Sequence, residues 1–135
     1  MQVRDGMSTD VVSIGPAHTL REAAKIMSDR RVGSAVVLDG DTDHPGILTE
    51  RDILASLAAG QDPDAEKVGD HLTEDIVVGA PDWSVHQAAE TLVRRSWRHL
   101  VVCEGDDVVG ILSVRDVVQL WVEDRLSGGV AASSA

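Results

Sequence analysis

The sequence contains no phenylalanine or tyrosine, and its only tryptophans are Trp83, Trp97 and Trp121. Proteins that hold single-stranded nucleic acid stack successive bases on aromatic side chains, so such a platform is nearly absent. Basic residues are also few, because 12 lysines and arginines stand against 23 acidic residues, for a net charge of −11. Since nucleic-acid phosphates require a positive protein surface, both shortages argue against a nucleic-acid partner.

Cysteine and long apolar runs are equally scarce. Cys103 is the single cysteine, so an intramolecular disulfide is impossible and a reducing, cytoplasmic setting is expected. No apolar run approaches the ~20 residues that a membrane helix needs, and no basic segment followed by an apolar core indicates a signal peptide. We therefore expect a cytoplasmic protein without a membrane association, and its 43% hydrophobic and 26% charged residues are typical of a compact globular chain.

Signatures of catalysis and of metal binding are missing as well. The five histidines are scattered without the spacing of metal ligands, so we expect no metal site. The sequence has no nucleophile elbow, no Walker loop and no Ser/His/Asp order, which predicts no catalytic residues and no enzyme. Cys103 has no partner in the sequence, and a buried, inert thiol is its expected role.

What the sequence does contain is a duplication. The heptapeptide Gly46–Asp52 (Gly-Ile-Leu-Thr-Glu-Arg-Asp) returns as Gly110–Asp116 (Gly-Ile-Leu-Ser-Val-Arg-Asp) at a shift of 64 residues. Further upstream, a shift of 65 residues aligns identical residues. The first-half members of these pairs are Asp10, Val12, Pro16, Ala23, Ala24, Arg30, Val36, Val37, Gly40 and Asp41. Because a unit near 60 residues buries little surface, we expect the two halves to share one core.

Each half is predicted to form the same series of elements. In the first half, Thr19 and Glu22 form a capping box that opens a helix. A strand is predicted at 11–14, and the helix that follows it has an apolar stripe at Leu20, Ala23, Ala24 and Met27. Next come a strand at 34–38, a polar turn at 40–44 and a strand at 46–48. The last element is a helix with apolar residues Ile53, Leu54 and Leu57, which stops near Gly60. Their counterparts are a strand at 76–78, a helix capped by Ser84, strands at 99–103 and 108–112, and a helix at 114–124.

A β-α-β-β-α unit that occurs twice and ends in Gly-Ile-Leu-[Thr/Ser]-x-Arg-Asp resembles the CBS domain, and the tandem pair resembles a Bateman module. The resemblance covers about Val3 to Glu123 and implies an α/β (α+β) fold. Repeat 1 (1–60), a linker (61–67) and repeat 2 (68–123) would be followed by a flexible tail (124–135). The resemblance also implies that the repeats pack through their sheets into one pseudo-twofold disc, that adenosine-containing ligands lie in clefts between the repeats, and that such discs pair into homodimers.

The chemistry of the motif suggests a role for its polar residues. A ribose offers two adjacent hydroxyls, and the carboxylates of Asp52 and Asp116 are suited to accept hydrogen bonds from both. A phosphate requires donors and positive potential, which the hydroxyls of Thr49 and Ser113 and the helix N-termini behind them supply. Arg51 and Arg115 lie in the same first helical turns, where a cation opposes the helix dipole, and are further candidates for binding the ligand.

The strand that begins each half is the candidate for holding an adenine ring, because such a ring needs apolar surfaces and backbone edges. The residues concerned are Val11, Val12, Ile76 and Val77; the resemblance implies the same role. Before its second strand the C-terminal half carries Arg98 and His99, where the N-terminal half has Gly33 and Ser34. Arg98 and His99 resemble the basic pair that binds phosphate in family members, and this asymmetry predicts unequal sites.

Two interpretations of function remain open from the sequence. In the first, the chain is a regulatory module that binds AMP, ADP or ATP, with S-adenosylmethionine or an NAD-type ligand as alternatives, and signals through a dimer or a regulated protein partner. In the second, it is a ligand-free stress-response or protein-interaction module, because a hydroxyl followed three residues later by an acid is also an ordinary helix cap. Neither interpretation requires a cofactor for catalysis.

Overall fold

The computed structural model describes residues 1–38, 45–73, 76–95 and 97–133, with side chains up to residue 124. The predicted polar turn at 40–44 lies outside the described residues. The elements are β1 (Ser13–Ile14), α1 (Leu20–Arg30), β2 (Ser34–Val37), β3 (Gly46–Thr49), α2 (Glu50–Ala58), β4 (Val78–Gly79), α3 (Val85–Arg95), β5 (His99–Glu104), β6 (Asp107–Ser113) and α4 (Val114–Ser133). The fold is therefore α+β, as predicted, with each repeat supplying three strands and two helices in the predicted order.

The chain divides into two compact units. The β1–β3 unit comprises Val11–Ile76, and the β4–β6 unit comprises Met1–Asp10 together with Val77–Ala135. Each unit contains a three-stranded sheet, in the orders β1-β2-β3 and β4-β5-β6. The strand that comes last in the chain, β3 or β6, is antiparallel to the middle strand. The first strand of each sheet runs parallel to the middle strand, which requires a crossover, and α1 or α3 provides it.

The crossover helices form because their sequences carry a cap and one apolar face. The Thr19 hydroxyl accepts a hydrogen bond from the backbone N–H of Glu22 at 3.1 Å, and the Glu22 carboxylate accepts one from the backbone N–H of Thr19. This completes the predicted capping box. The buried residues of the two helices are Leu20, Ala23 and Met27 in α1 and Val85, Ala88 and Leu92 in α3. Their spacing places one stripe of each helix on its own sheet.

A short segment from before each repeat's first strand pairs with the edge of a sheet. Ser8 forms an antiparallel bridge with Ile111 of β6, and Thr73 forms the equivalent bridge with Ile47 of β3. The segment Met1–Asp10 therefore belongs to the β4–β6 unit, and residues 61–73 belong to the β1–β3 unit. The compact units and the sequence repeats consequently differ in where they begin.

This pairing explains the glycine that opens the repeated motif. A Cβ atom on Gly110 would lie 2.6 Å from the sulfur of Met7, and one on Gly46 would lie 2.6 Å from a methyl carbon of Leu72. Real Cβ atoms do not approach other atoms this closely, so a larger residue at Gly110 or Gly46 would force Met7 or Leu72 to shift where the neighbouring segment packs against the strand.

Several predicted boundaries differ from the observed ones. The strand predicted at 11–14 is reduced to the two residues of β1, and the strand predicted at 76–78 is observed as Val78–Gly79, shifted toward the C-terminus. The last helix continues to Ser133 instead of ending at 124.

The closing helices also expose part of their apolar faces. On α2, Leu54 is 66% exposed and Leu57 is 49% exposed, whereas Ile53 packs against the core of its unit. On α4, Val118 and Trp121 are exposed in the same way, and Val117 packs inward. The predicted apolar face of α2 is thus only partly buried by its own unit.

Candidate functional site

The residues predicted to bind a ligand in the first repeat meet at one end of the β1–β3 sheet. Thr49 ends β3, lies opposite Ser34 of β2, and caps α2. Its hydroxyl accepts a hydrogen bond from the Asp52 backbone N–H at 3.3 Å. The Asp52 Oδ2 atom accepts hydrogen bonds from the backbone N–H of Thr49 at 2.8 Å and from its hydroxyl at 3.0 Å. These bonds fix both side chains at the helix N-terminus.

The second repeat builds the same arrangement in the β4–β6 sheet. Ser113 ends β6 opposite His99 of β5. Its hydroxyl accepts a hydrogen bond from the Asp116 backbone N–H at 3.0 Å, and the Asp116 Oδ2 atom accepts one from the backbone N–H of Ser113 at 2.8 Å. Both aspartates are half-buried, and within the described residues their Oδ1 atoms accept no hydrogen bond. A capped helix therefore keeps one carboxylate oxygen available in each unit.

The strands that open the repeats reach the same sheet ends. The backbone N–H of Val36 donates a 2.8 Å hydrogen bond to the carbonyl of Val12, and that of Val101 donates a 3.1 Å bond to the carbonyl of Val77. Val11 and Ile76 immediately precede these residues and are half-buried. Because Ser13 pairs with Val36, Val11 is level with the end of β2 that contacts Thr49. The sheet geometry thus brings the predicted apolar and polar residues of each unit together.

The predicted basic residues lie at the same ends and are accessible to solvent. Arg51, Arg115 and Arg98 are exposed, and His99 is half-buried. None of the three arginines forms an ion pair with another residue in the described ranges. The carbonyl of Arg98 accepts a 2.8 Å hydrogen bond from the backbone N–H of Val114, which fixes the position of its backbone beside the N-terminus of α4.

One feature of the first site was missed by sequence reasoning. Glu50 is exposed, but its carboxylate carbon lies only 3.4 Å from where a Cβ atom on Gly33 would be. The backbone N–H of Glu50 also donates a 3.0 Å hydrogen bond to the carbonyl of Gly33. Because Gly33 has no side chain, the Glu50 carboxylate can occupy the space beside it. In the sequence, the one indication of this contact between Glu50 and Gly33 is that Gly33 aligns with Arg98.

Other candidates contribute nothing to these sites. Burial raises the pKa of the Cys103 thiol, and the nearby Asp107 raises it further, so the thiol is poorly suited to act as a nucleophile. Trp83 and Trp97 pack against the core of the β4–β6 unit. No cluster of histidine, cysteine and acidic side chains able to hold a metal ion occurs among the described residues. Over the same ranges, no helix has the length and apolar character to span a membrane.

The duplicated strand–hydroxyl–helix arrangement, with one aspartate behind each helix cap, defines the chain as a pair of CBS domains, a regulatory module. The sequence model of the CBS domain family matches residues 2–59 and 68–123, and the chain belongs to that family. The resemblance inferred from the repeated motif is therefore confirmed.

Three relatives illustrate this membership. The chain is 31% identical to the CBS domain-containing protein YhcV of Bacillus subtilis, over 93% of this chain and 89% of that protein. It is similar to the CBS domain protein PAE2072 from Pyrobaculum aerophilum complexed with AMP, with a TM-score of 0.76, 31% identity, and coverage of 86% and 89% of the two chains. It also resembles the hexameric CBS-CP12 protein from bloom-forming cyanobacteria, with a TM-score of 0.82, 30% identity, and coverage of 87% and 69%.

Proposed function

We propose that this protein is a sensor that binds an adenosine-containing ligand, with AMP, ADP or ATP as the expected ligands. The observation that carries the proposal is the capped helix N-terminus with a half-buried aspartate at one sheet end of each unit. A relative of 31% identity has been solved in complex with AMP, which supports the same class of ligand here.

Each group at the sheet end has a role in the proposal. The Oδ1 atoms of Asp52 and Asp116 accept hydrogen bonds from ribose hydroxyls, while the Oδ2 atoms continue to cap the helices. The hydroxyls of Thr49 and Ser113 and the first backbone N–H groups of α2 and α4 face the phosphate. The strand residues Val11, Val12, Ile76 and Val77 contact the adenine, and Arg51, Arg98, His99 and Arg115 supply positive charge. S-adenosylmethionine and NAD-type ligands share the adenosine moiety and remain alternatives.

Signalling requires that ligand binding favours one arrangement of the protein over another. We propose that a homodimer or a regulated protein partner reads this change through the exposed faces of α2 and α4. Leu54 and Leu57 align with Val118 and Trp121 in the repeat, and all four are exposed in their own units. Trp121→Asp is expected to shift a dimer to a monomer in sedimentation analysis, whereas Val93→Asp, at a more exposed valine on α3, leaves the dimer intact. A monomeric wild-type protein would contradict the dimer proposal.

The second candidate function is a ligand-free interaction module in which the motif only caps helices. The hydrogen bonds that favour it are those between Thr49 and Asp52 and between Ser113 and Asp116, which have ordinary capping geometry. The same arrangement occurs at Thr19 and Glu22, away from the proposed sites. Capping alone therefore does not distinguish the two functions.

Ligand titration separates them. We expect isothermal titration of the ligand-free wild-type protein with AMP to show binding, and Asp52→Ala and Asp116→Ala each to remove one site. AMP at ~100 times its dissociation constant should raise the free energy of unfolding by roughly 2.7 kcal/mol. Glu22→Ala is the matched control, because it removes an acid from a capping box outside the sites. Failure of AMP, ADP, ATP, S-adenosylmethionine and NADH alike to bind the folded wild-type protein would favour the interaction module.

A further inference from the structure

The two proposed sites share a backbone and differ in charge at one position. In the first, the backbone N–H of Glu50 bonds to the carbonyl of Gly33 at 3.0 Å; in the second, the backbone N–H of Val114 bonds to the carbonyl of Arg98 at 2.8 Å. Each pair joins the residue just before the middle strand to the first residue of the closing helix. Their backbones can therefore be superposed, and their side chains compared directly.

The side chains at this position carry opposite charges. In the first site the Glu50 carboxylate occupies the space beside Gly33, with Oε1 3.3 Å from where a Cβ atom would lie. In the second site the residue before the middle strand is Arg98, and the first residue of the closing helix is the neutral Val114. The first site is therefore two unit charges more negative at this position. Arg51 and Arg115 are present at equivalent positions of both sites and cannot account for a difference.

The Glu50 carboxylate is the charged group at this position of the first site. Its side chain forms no ion pair or hydrogen bond with any residue in the described ranges. The carboxylate lies at the N-terminus of α2, where the ligand's phosphate would approach the free N–H groups. A phosphate at this place would be repelled by the negative charge of Glu50.

We propose that the two sites accept different ligands: the first takes an adenine nucleoside whose 5′ substituent is uncharged, and the second takes a 5′-phosphorylated adenine nucleotide. This inference rests on the proposed function. A 5′-phosphate carries nearly two negative charges at pH 7. Repulsion from one carboxylate about 6 Å away in a solvent-exposed setting weakens its binding about tenfold. Arg98 acts in the opposite direction at the second site, so Glu50 and Arg98 are the residues that determine specificity.

Titration of single-site variants with adenosine and with AMP tests the proposal. In Asp116→Ala, which retains only the first site, adenosine is expected to bind more tightly than AMP. In Asp52→Ala, which retains only the second, AMP is expected to bind more tightly than adenosine. Adding Glu50→Gln to Asp116→Ala should increase the affinity for AMP about tenfold, while the affinity for adenosine should change by less than about twofold. In Asp116→Ala, added salt should reduce the preference for adenosine over AMP. When Glu50→Gln is also present, added salt should have little effect on the two affinities.

The double substitution Gly33→Arg with Glu50→Val gives the first site the residue pair of the second. In the Asp116→Ala background it should reverse the preference from adenosine to AMP. Glu104→Gln is the matched control, because it removes an exposed carboxylate from the far end of β5 and should change neither affinity. Thermal unfolding of every variant confirms that it is folded before titration, and Asp52→Asn or Asp116→Asn replaces any alanine variant that unfolds.

The outcomes separate this inference from the proposed function. Equal binding of AMP and adenosine at the first site would overturn the inference, and so would an unchanged preference after Glu50→Gln. A first site that binds neither probe, in a protein whose second site binds AMP, would overturn the inference and leave the proposed function standing. A folded wild-type protein that binds neither probe at either site would overturn both.

Discussion

A methyl carbon of Leu72 lies 2.6 Å from the position that a Cβ atom on Gly46 would occupy. The carbonyl oxygen of Thr73 lies 3.3 Å from the same position and belongs to the backbone that pairs with Ile47. Because backbone cannot move aside as a flexible side chain does, we expect Gly46→Ala to destabilise the protein by about 1–3 kcal/mol. Chemical denaturation measures this directly.

Gly15→Ala is the control for that substitution. A Cβ atom at Gly15 would make only an ordinary contact, 3.6 Å from the nearest atom of His18. Replacing glycine by alanine where the backbone permits it restricts the unfolded chain, so Gly15→Ala should be neutral or stabilising by up to about 1 kcal/mol. Similar destabilisation by both substitutions would show that loss of glycine, rather than contact with Leu72 and the Thr73 backbone, is responsible.

The two capping threonines provide a second test. Thr19 and Thr49 accept the same bond from the backbone N–H three residues later, at 3.1 Å and 3.3 Å. Replacing either by alanine should cost about 1 kcal/mol of stability. Only Thr49→Ala should also weaken the binding of an adenosine-containing ligand in titration calorimetry, because only Thr49 lies at a proposed site. Equal effects of the two substitutions on ligand affinity would assign Thr49 to capping alone.

Helix α1 ends at a residue with a strained backbone. Arg31 adopts the left-handed conformation with φ 57° and ψ 42°, and its N–H bonds to the carbonyls of Met27 and Ser28. A side chain at this conformation costs about 1 kcal/mol that glycine avoids, so Arg31→Gly should raise the free energy of unfolding by about that amount. Lys25→Gly, at an exposed position inside the same helix, should lower it by about 1 kcal/mol. A loss of stability in both variants would contradict the prediction.

The carboxyl group of Glu22 links stability to pH. Hydrogen bonds from the backbone N–H and then the hydroxyl of Thr19 lower the pKa of Glu22 below its usual range. A lowered folded-state pKa means that the stabilisation is complete above the unfolded-state value, about 4.3, and is lost as the pH falls through the folded-state value. The stability difference between wild type and Glu22→Gln should therefore be constant near neutral pH and shrink in acid. Denaturation from about pH 3 to pH 7 measures it, and a difference independent of pH would contradict this account.

Local signals in the sequence predicted most of the elements correctly. The capping box at Thr19 and the stripe through Leu20, Ala23 and Met27 located α1, because both depend only on residues within a few positions of each other. The repeated motif located Thr49 and Ser113 at strand ends and helix caps for the same reason. That these residues bind a ligand stays a prediction.

Features that depend on distant contacts were not predicted. The pairing of Ser8 with Ile111 and of Thr73 with Ile47 joins segments far apart in the chain, and a repeat alignment cannot tell which copy a segment packs against. The left-handed Arg31 was missed because no glycine or asparagine marks it. The Glu50 carboxylate beside Gly33 was missed because it fills a space that exists only once β2 and α2 are assembled.

The division of the β4–β6 unit along the chain affects the order in which the protein can fold during synthesis. All of Val11–Ile76 is made between Met1–Asp10 and the rest of that unit. The β1–β3 unit is continuous in the chain, so it can fold before β6, which pairs with Ser8, emerges from the ribosome. Until then Met7 and Val3 remain without their apolar partners. A chaperone that recognises short apolar segments would have its longest opportunity at this N-terminal segment.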